Sequence, residues 1–182
     1  MLYLVVCGAG PAADVTVLVS AAKERGWQPC VIATPSATRF INLEELARQT
    51  GRPVRSEHRE PDEPRGSLPR ADAVIVAPAS FNTINKWAHG IADTYALDIL
   101  AESVSYGVPI VAVPFVNTNL SNRTPFKESV ARLRDEGVTV IFGPGQWESH
   151  PPGTGSERAA AFPWRLALDL ATNGGTFTPS SG

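Results

Sequence analysis

Apolar residues along this chain fall into short continuous runs separated by longer stretches of helical periodicity. Leu2-Tyr3-Leu4-Val5-Val6-Cys7 is the first run, followed by Pro29 to Ala33, Ala73-Val74-Ile75-Val76-Ala77, Gly107 to Val113 and Val138 to Phe142. Their length and β-branched content suit strands buried on both faces of a parallel sheet. Between them the period changes. Helices are predicted from the turn after Gly10 to Arg25 with a stop at Gly26, from Asn42 to Thr50 with a stop at Gly51, and from Asn82 to His89. Others run from Thr94 to Ser105, then to Glu136, and close the chain from Glu157 to Ala171. In the second of these, Leu43, Leu46 and Ala47 share one face, and in the fourth the apolar positions are Leu97, Ile99, Leu100 and Val104. Pro53-Val54-Arg55 reads as a short edge strand. Five or six strands alternating with helices predict one three-layer, doubly wound, mostly parallel α/β sheet of the Rossmann-like kind.

Polar blocks mark the loops. Ser56 to Arg70, SEHREPDEPRGSLPR, is charged, rich in proline and nearly free of apolar residues, which predicts an exposed loop. Gly143 to Ser156 is rich in glycine and proline and long enough to cover a site as a lid. No internal repeat or second domain is visible, so residues 1–172 read as one domain and 173–182 as a flexible tail.

Composition narrows the function. The chain has 182 residues, 43% hydrophobic and 19% charged, enough to bury a full core. A net charge of -2 leaves no broad basic surface for nucleic acid, and the apolar runs fall short of a membrane span. The first strand begins without a basic region before it, which argues against a secretory signal. Two cysteines, Cys7 and Cys30, stand at strand ends; buried free thiols in a reducing cytoplasm are expected, with a disulfide as the other reading.

Candidate chemistry collects where strands hand over to helices, the edge at which open α/β sheets bind ligands. After the first strand, Gly8-Ala9-Gly10 forms a small-residue turn that lets backbone N–H groups approach an anion. The full G-x-G-x-x-G pattern is absent because Ala13 stands at its third glycine, so a bare structural turn fits as well. After the second strand, Thr34 and Ser36 offer hydroxyls, and Ser36 is also a candidate helix cap. The third strand breaks at Pro78, and Ala79, Ser80, Phe81, Asn82 and Thr83 follow. The fourth ends in Pro114-Phe115-Val116-Asn117, where Asn117 is either a ligand-binding amide or a turn residue.

Pro78-Ala79-Ser80-Phe81-Asn82-Thr83 resembles the proline-alanine-serine-alanine-asparagine-threonine motif of the homo-oligomeric flavin-containing cysteine decarboxylases, with Phe81 for the second alanine. That superfamily includes phosphopantothenoylcysteine decarboxylase and the lantibiotic peptidyl-cysteine decarboxylases, with the flavin prenyltransferases as relatives. Gly90-Ile91-Ala92-Asp93 follows at the family's spacing. Thr34-Pro35-Ser36 through Phe40-Ile41 is similar to an element whose hydroxyls hold the flavin phosphate, and Pro114 to Asn117 looks like the proline-alanine-methionine-asparagine motif. The likeness covers about residues 2 to 155. It implies FMN as cofactor, held by Gly8, Ala9, Gly10, Thr34, Ser36, Phe40, Ala79, Ser80, Phe81, Asn82, Thr83 and Phe115. It further implies Asn117 as the ligand of a substrate carboxylate, a small-molecule or peptide thiol as substrate, no metal, and a trimer or dodecamer with flavin between subunits.

Two of the family's catalytic positions are not met. Its histidine precedes the aspartate matching Asp72 by eight residues, and Pro64 stands there. The clamp cysteine of the phosphopantothenoylcysteine branch, which protonates an enethiolate, is replaced by a His150-Pro151-Pro152-Gly153 segment without cysteine. His58 and His89 read as surface residues and His150 as a loop residue, which leaves the catalytic residues unassigned. The resemblance then implies an FMN enzyme that oxidises, or oxidatively decarboxylates, a cysteine-like thiol carboxylate. Two alternatives stay open. A flavin prenyltransferase would need a second phosphate site, for which Arg123, Lys127 and Arg158 are the candidates, and a flavin-binding regulatory subunit would need no turnover.

Overall fold

A computed structural model describes residues 1–58 and 68–172. Position 64 and the tail read at 173–182 lie outside the described residues. Five strands form an all-parallel sheet in the order β2-β1-β3-β4-β5: β1 Leu2–Val6, β2 Pro29–Ala33, β3 Ala73–Ala79, β4 Ile110–Pro114 and β5 Thr139–Val140. Among the described residues, eight α-helices accompany them: α1 Val15–Glu24, α2 Leu43–Thr50, α3 Phe81–Ala88, α4 Tyr95–Ser105, α5 Thr118–Ser121, α6 Thr124–Asp135, α7 Gly155–Ala159 and α8 Trp164–Thr172.

The continuous apolar runs follow from helices covering both faces of the sheet. Side chains alternate along each strand. Leu2, Leu4 and Val6, with Ala73, Ile75 and Ala77, pack toward Leu18, Val19, Ala167 and Leu168 of α1 and α8. Tyr3, Val5 and Cys7, with Val74, Val76 and Ala79, pack toward Ile84, Leu100, Phe126 and Leu133 of α3, α4 and α6. A polar residue at any of these strand positions would lose its water without gaining a partner, which is why the runs are unbroken.

Helix starts are set by side-chain caps. Asn42 accepts a hydrogen bond from Glu45 N–H at 3.0 Å, and α2 stops where Gly51 takes φ 69°, a left-handed conformation that costs glycine least. Thr94 caps α4 through Leu97 N–H.

Several expectations are corrected. The third strand does not break at Pro78 but runs through a cis Ala77–Pro78 bond to Ala79, with a register shift against β4 between Val76 and Ala79. Proline lacks only the donor, and its carbonyl still accepts from Cys7 N–H at 3.1 Å. The edge strand at 53–55 reduces to a single bridge between Ile32 and Arg55, so the sheet has five strands. Ser36 makes no side-chain cap; its Oγ lies 3.2 Å from Thr34 Oγ1 instead. The closing helix is split into α7 and α8 around Pro163, since the residue before a proline is pushed out of the helical region. Residues 143–156 are pinned down as well. Trp147 is 5% exposed and donates from Nε1 to Pro114 O at 2.9 Å, while a parallel bridge joins His150 to Asn117.

Candidate functional site

Because all five strands run the same way, their ends share one edge of the molecule. There, Gly8, Ala9 and Gly10 after β1, Ser80, Phe81 and Asn82 around the start of α3, and Phe115 to Asn117 after β4 line a cleft of about 370 Å³. Leu120 and His150 complete its lining. The volume is in the range of small-molecule sites.

The turn after β1 is fixed by exclusion. A Cβ added to Gly8 would stand 2.9 Å from the backbone carbon and oxygen of Ser36, and one on Gly10 would stand 3.2 Å from the Phe115 ring. Only glycine allows the first turn to sit this close to the second, and the N–H groups of Gly8 and Gly10 have no hydrogen-bond acceptor among the described residues. The start of α3 adds a second set of donors. Ser80 caps the helix by accepting from Thr83 N–H at 3.2 Å, while the Phe81 and Asn82 N–H groups precede the first intrahelical bond. Such an arrangement favours an anion or a polar ring edge.

Beneath the cleft lies a small buried network. Cys7 Sγ donates to Thr83 Oγ1 at 3.2 Å, and Thr83 Oγ1 is 3.0 Å from Ser80 Oγ. Burial pushes the Cys7 thiol above its ordinary range, against the opposing pull of the Thr83 and Ser80 hydroxyls. Cys7 is therefore a neutral donor that orients the Ser80 cap. Both cysteines are free and buried.

Asn117 caps the short α5 by accepting from Leu120 N–H at 3.0 Å through Oδ1, which leaves its amide nitrogen as the donor for a ligand. Turn residue and binding amide are thus compatible roles of one side chain. Beside it, His150 N–H meets Val116 O at 3.3 Å, and Thr118 N–H meets His150 O at 2.9 Å. The imidazole packs on Phe115 with ring centroids 4.8 Å apart.

The structure thus gathers Gly8, Ala9, Gly10, Ser80, Phe81, Asn82, Phe115 and Asn117 in one cleft. Ala79 and Thr83 are buried beside it, and Ser36 stands against Gly8 with Thr34 Oγ1 3.2 Å from its Oγ. Phe40 does not join them: it is 44% exposed, in a separate shallow depression between Thr38 and Glu44. Arg123 and Lys127 are exposed at the start of α6, and Arg158 lies 3.8 Å over the Trp147 ring; none of the three lines the cleft. His58 pairs with Asp98, and His89 is exposed at the end of α3 with Nδ1 2.9 Å from Asn85 O.

His150 lines the cleft although its loop, by composition, gives it no role. The available signal was its place beyond the last strand of a parallel sheet, hence on the same edge as the motifs, but its pairing with Asn117 is a tertiary bridge. A second hollow of about 430 Å³ lies at the opposite edge, lined by Tyr3, Arg70, Tyr95 and Tyr106, and contains none of the strand-end motifs.

The chain is 28% identical over 144 residues to the coenzyme A biosynthesis bifunctional protein CoaBC of Thermococcus kodakarensis, covering 77% of this chain and 36% of that protein. It therefore spans about a third of that relative's length. Similarity to a probable phosphopantothenoylcysteine decarboxylase of Streptococcus mutans is 29% over 121 residues, covering 64% of this chain and 67% of the relative. Among solved structures, the FMN-dependent cysteine decarboxylase TvaF from thioviridamide biosynthesis superposes with a TM-score of 0.70 at 22% identity, covering 94% and 95% of the two chains, a likeness of fold. The profile described as Flavoprotein matches residues 1–164, nearly the whole described chain, and the protein belongs to that flavoprotein family.

Proposed function

We propose that this chain binds FMN in the carboxyl-edge cleft and oxidises a thiol that carries a neighbouring carboxylate, leading to loss of carbon dioxide. The observation that carries the reading is the meeting, in one cleft, of the Gly8–Gly10 turn, the start of α3 and Asn117. The residues suit the cofactor: a glycine turn that a Cβ would obstruct, unpaired backbone donors for a phosphate, and Phe81 and Phe115 as apolar walls for a ring. Thr34 and Ser36 stand behind the turn, where their hydroxyls support its phosphate side.

Bound there, FMN would supply the two-electron oxidation that converts the thiol to a thioaldehyde, from which carbon dioxide can be lost. The chain's own residues bind and orient. Asn117 donates its amide N–H to the substrate carboxylate, Asn82 and Ser80 contact the polar edge of the ring, and Phe115 excludes water from one wall. The cleft is open on its outer side, and a neighbouring copy of the chain is proposed to close it, as the resemblance to homo-oligomeric relatives suggests.

The test is an absorption spectrum of purified protein incubated with FMN and freed of excess, with mass spectrometry of the molecule released on denaturation. Oxidised flavin bands and released FMN are expected; a colourless protein that takes up no flavin overturns the proposal. A flavin-binding subunit without turnover is the second reading, favoured by the proline at position 64. It is separated by whether thiol carboxylates bleach the bound flavin.

A further inference from the structure

We propose that His150 is the acid–base residue of this cleft, exchanging a proton with the sulfur of the bound thiol carboxylate. The inference rests on the function proposed above and assigns a role that neither the motifs nor the loop's composition supplies.

Among the described residues that line the cleft, His150 is the one ionisable side chain. The other linings are glycine, alanine, serine, asparagine and apolar groups, so a proton arriving or leaving inside the cleft has no other titratable partner on its walls. Imidazole is suited to that exchange near neutral pH.

The ring is held, tautomer included. His150 Nδ1 lies 2.9 Å from Pro151 O, and a carbonyl can only accept, so Nδ1 is the donor there and Nε2 is the nitrogen that exchanges a proton. One face packs on Phe115 at 4.8 Å between centroids. Beside both rings, Gly155 leaves the room the imidazole needs, since a Cβ there would stand 3.2 Å from Cε1 and 3.6 Å from Nε2. Charged groups sharing the depression on the outer side of the ring are Glu148, Glu157 and Arg158; the cleft side contributes none.

The bridge to Asn117 sets the reach. A parallel bridge makes Asn117 and His150 neighbours on adjacent segments, and both line the cleft. A substrate whose carboxylate lies on Asn117 therefore has His150 beside it as the neighbouring polar side chain for its sulfur. The proton balance closes. Nε2 takes the S–H proton as the two electrons and the carbon-bound hydrogen pass to the flavin. Loss of carbon dioxide from the thioaldehyde then leaves the electron pair on sulfur as an enethiolate. The imidazolium returns the same proton to that sulfur, giving a neutral enethiol and the starting imidazole.

The experiment uses FMN-loaded full-length protein with ¹⁵N-labelled histidines, the His150 signals assigned from His150→Gln, and N-acetylcysteine as the probe. Binding of the probe at neutral pH is expected to move His150 to the imidazolium pattern and to raise thiolate absorbance. S-methyl-N-acetylcysteine, which has no S–H proton, should bind without either change. In His150→Gln the bound probe should show about tenfold less thiolate at the same pH, as the loss of an adjacent cation implies. Gly155→Ala, which presses on the ring without removing it, should diminish the effect. If the probe binds and His150 stays neutral, or the S-methyl compound gives the same response, the assignment to His150 is overturned while the proposed function stands. If neither FMN nor the probe binds, the proposed function fails and takes this role with it.

Discussion

At the scale of single residues, the site is built from exclusions as much as from contacts. Asn117 spends Oδ1 on the α5 cap and keeps its amide nitrogen. Asn117→Ala should therefore retain FMN but lose affinity for thiol carboxylates by about 1.5–3 kcal/mol, the worth of a hydrogen bond to a charged group; titration calorimetry with N-acetylcysteine measures it. Asn82 is exposed at the start of α3; if it meets the flavin as proposed, Asn82→Asp should weaken flavin retention through gel filtration. Unchanged flavin content would remove Asn82 from the site. The strand-end motifs were legible because their residue types are demanded by turn and cap geometry within a few positions of chain. His150 was not legible, since its partner lies on another loop and only the tertiary bridge brings them together.

At the scale of elements, the sequence pattern located strands and helices well where a helix face or a buried strand imposed a period. It failed where one residue ruled the local backbone. Pro78 interrupts donors without ending β3, because Cys7 N–H still finds the Pro78 carbonyl. Pro163 divides a periodic stretch that read as one helix, although Ala167, Leu168 and Ala171 still face the core. The packing of α3 against α6 offers a test of how the cleft floor is held. Ser129, fully buried, donates from Oγ to Asn85 Oδ1 at 2.9 Å, and Phe126 stacks on Phe81 at 5.6 Å. Ser129→Ala leaves the Asn85 acceptor without its partner and should cost about 1–3 kcal/mol in chemical denaturation. An unchanged midpoint would show that this bond does not clamp the two helices.

At the scale of the whole molecule, the candidate site and a buried tyrosine anchor sit at opposite edges of one parallel sheet. The cleft occupies the carboxyl edge, while at the amino edge Tyr3 donates its hydroxyl to Pro69 O at 2.8 Å and is pushed up to about 12 by burial. A raised tyrosine favours folding while it stays protonated. Its contribution is complete below the unfolded value near 10 and declines as pH rises toward 12. Between pH 9 and 11 the native chain should lose about 1.4 kcal/mol more stability than Tyr3→Phe, read from urea midpoints at each pH. Parallel slopes would show that Tyr3 titrates normally. The α/β class was readable from alternation alone, and the five-strand order adds what alternation cannot give: which strand ends become neighbours.

The contact between Gly8 and Ser36 reaches beyond local shape. It locks the turns after β1 and β2 into one piece, so neither has to be organised by the ligand it receives. The ordering penalty of a loop that folds around its guest is absent here. Capture is then governed by encounter and orientation rather than by loop closure, and how long a guest stays depends on the contacts it makes rather than on the opening of a gate.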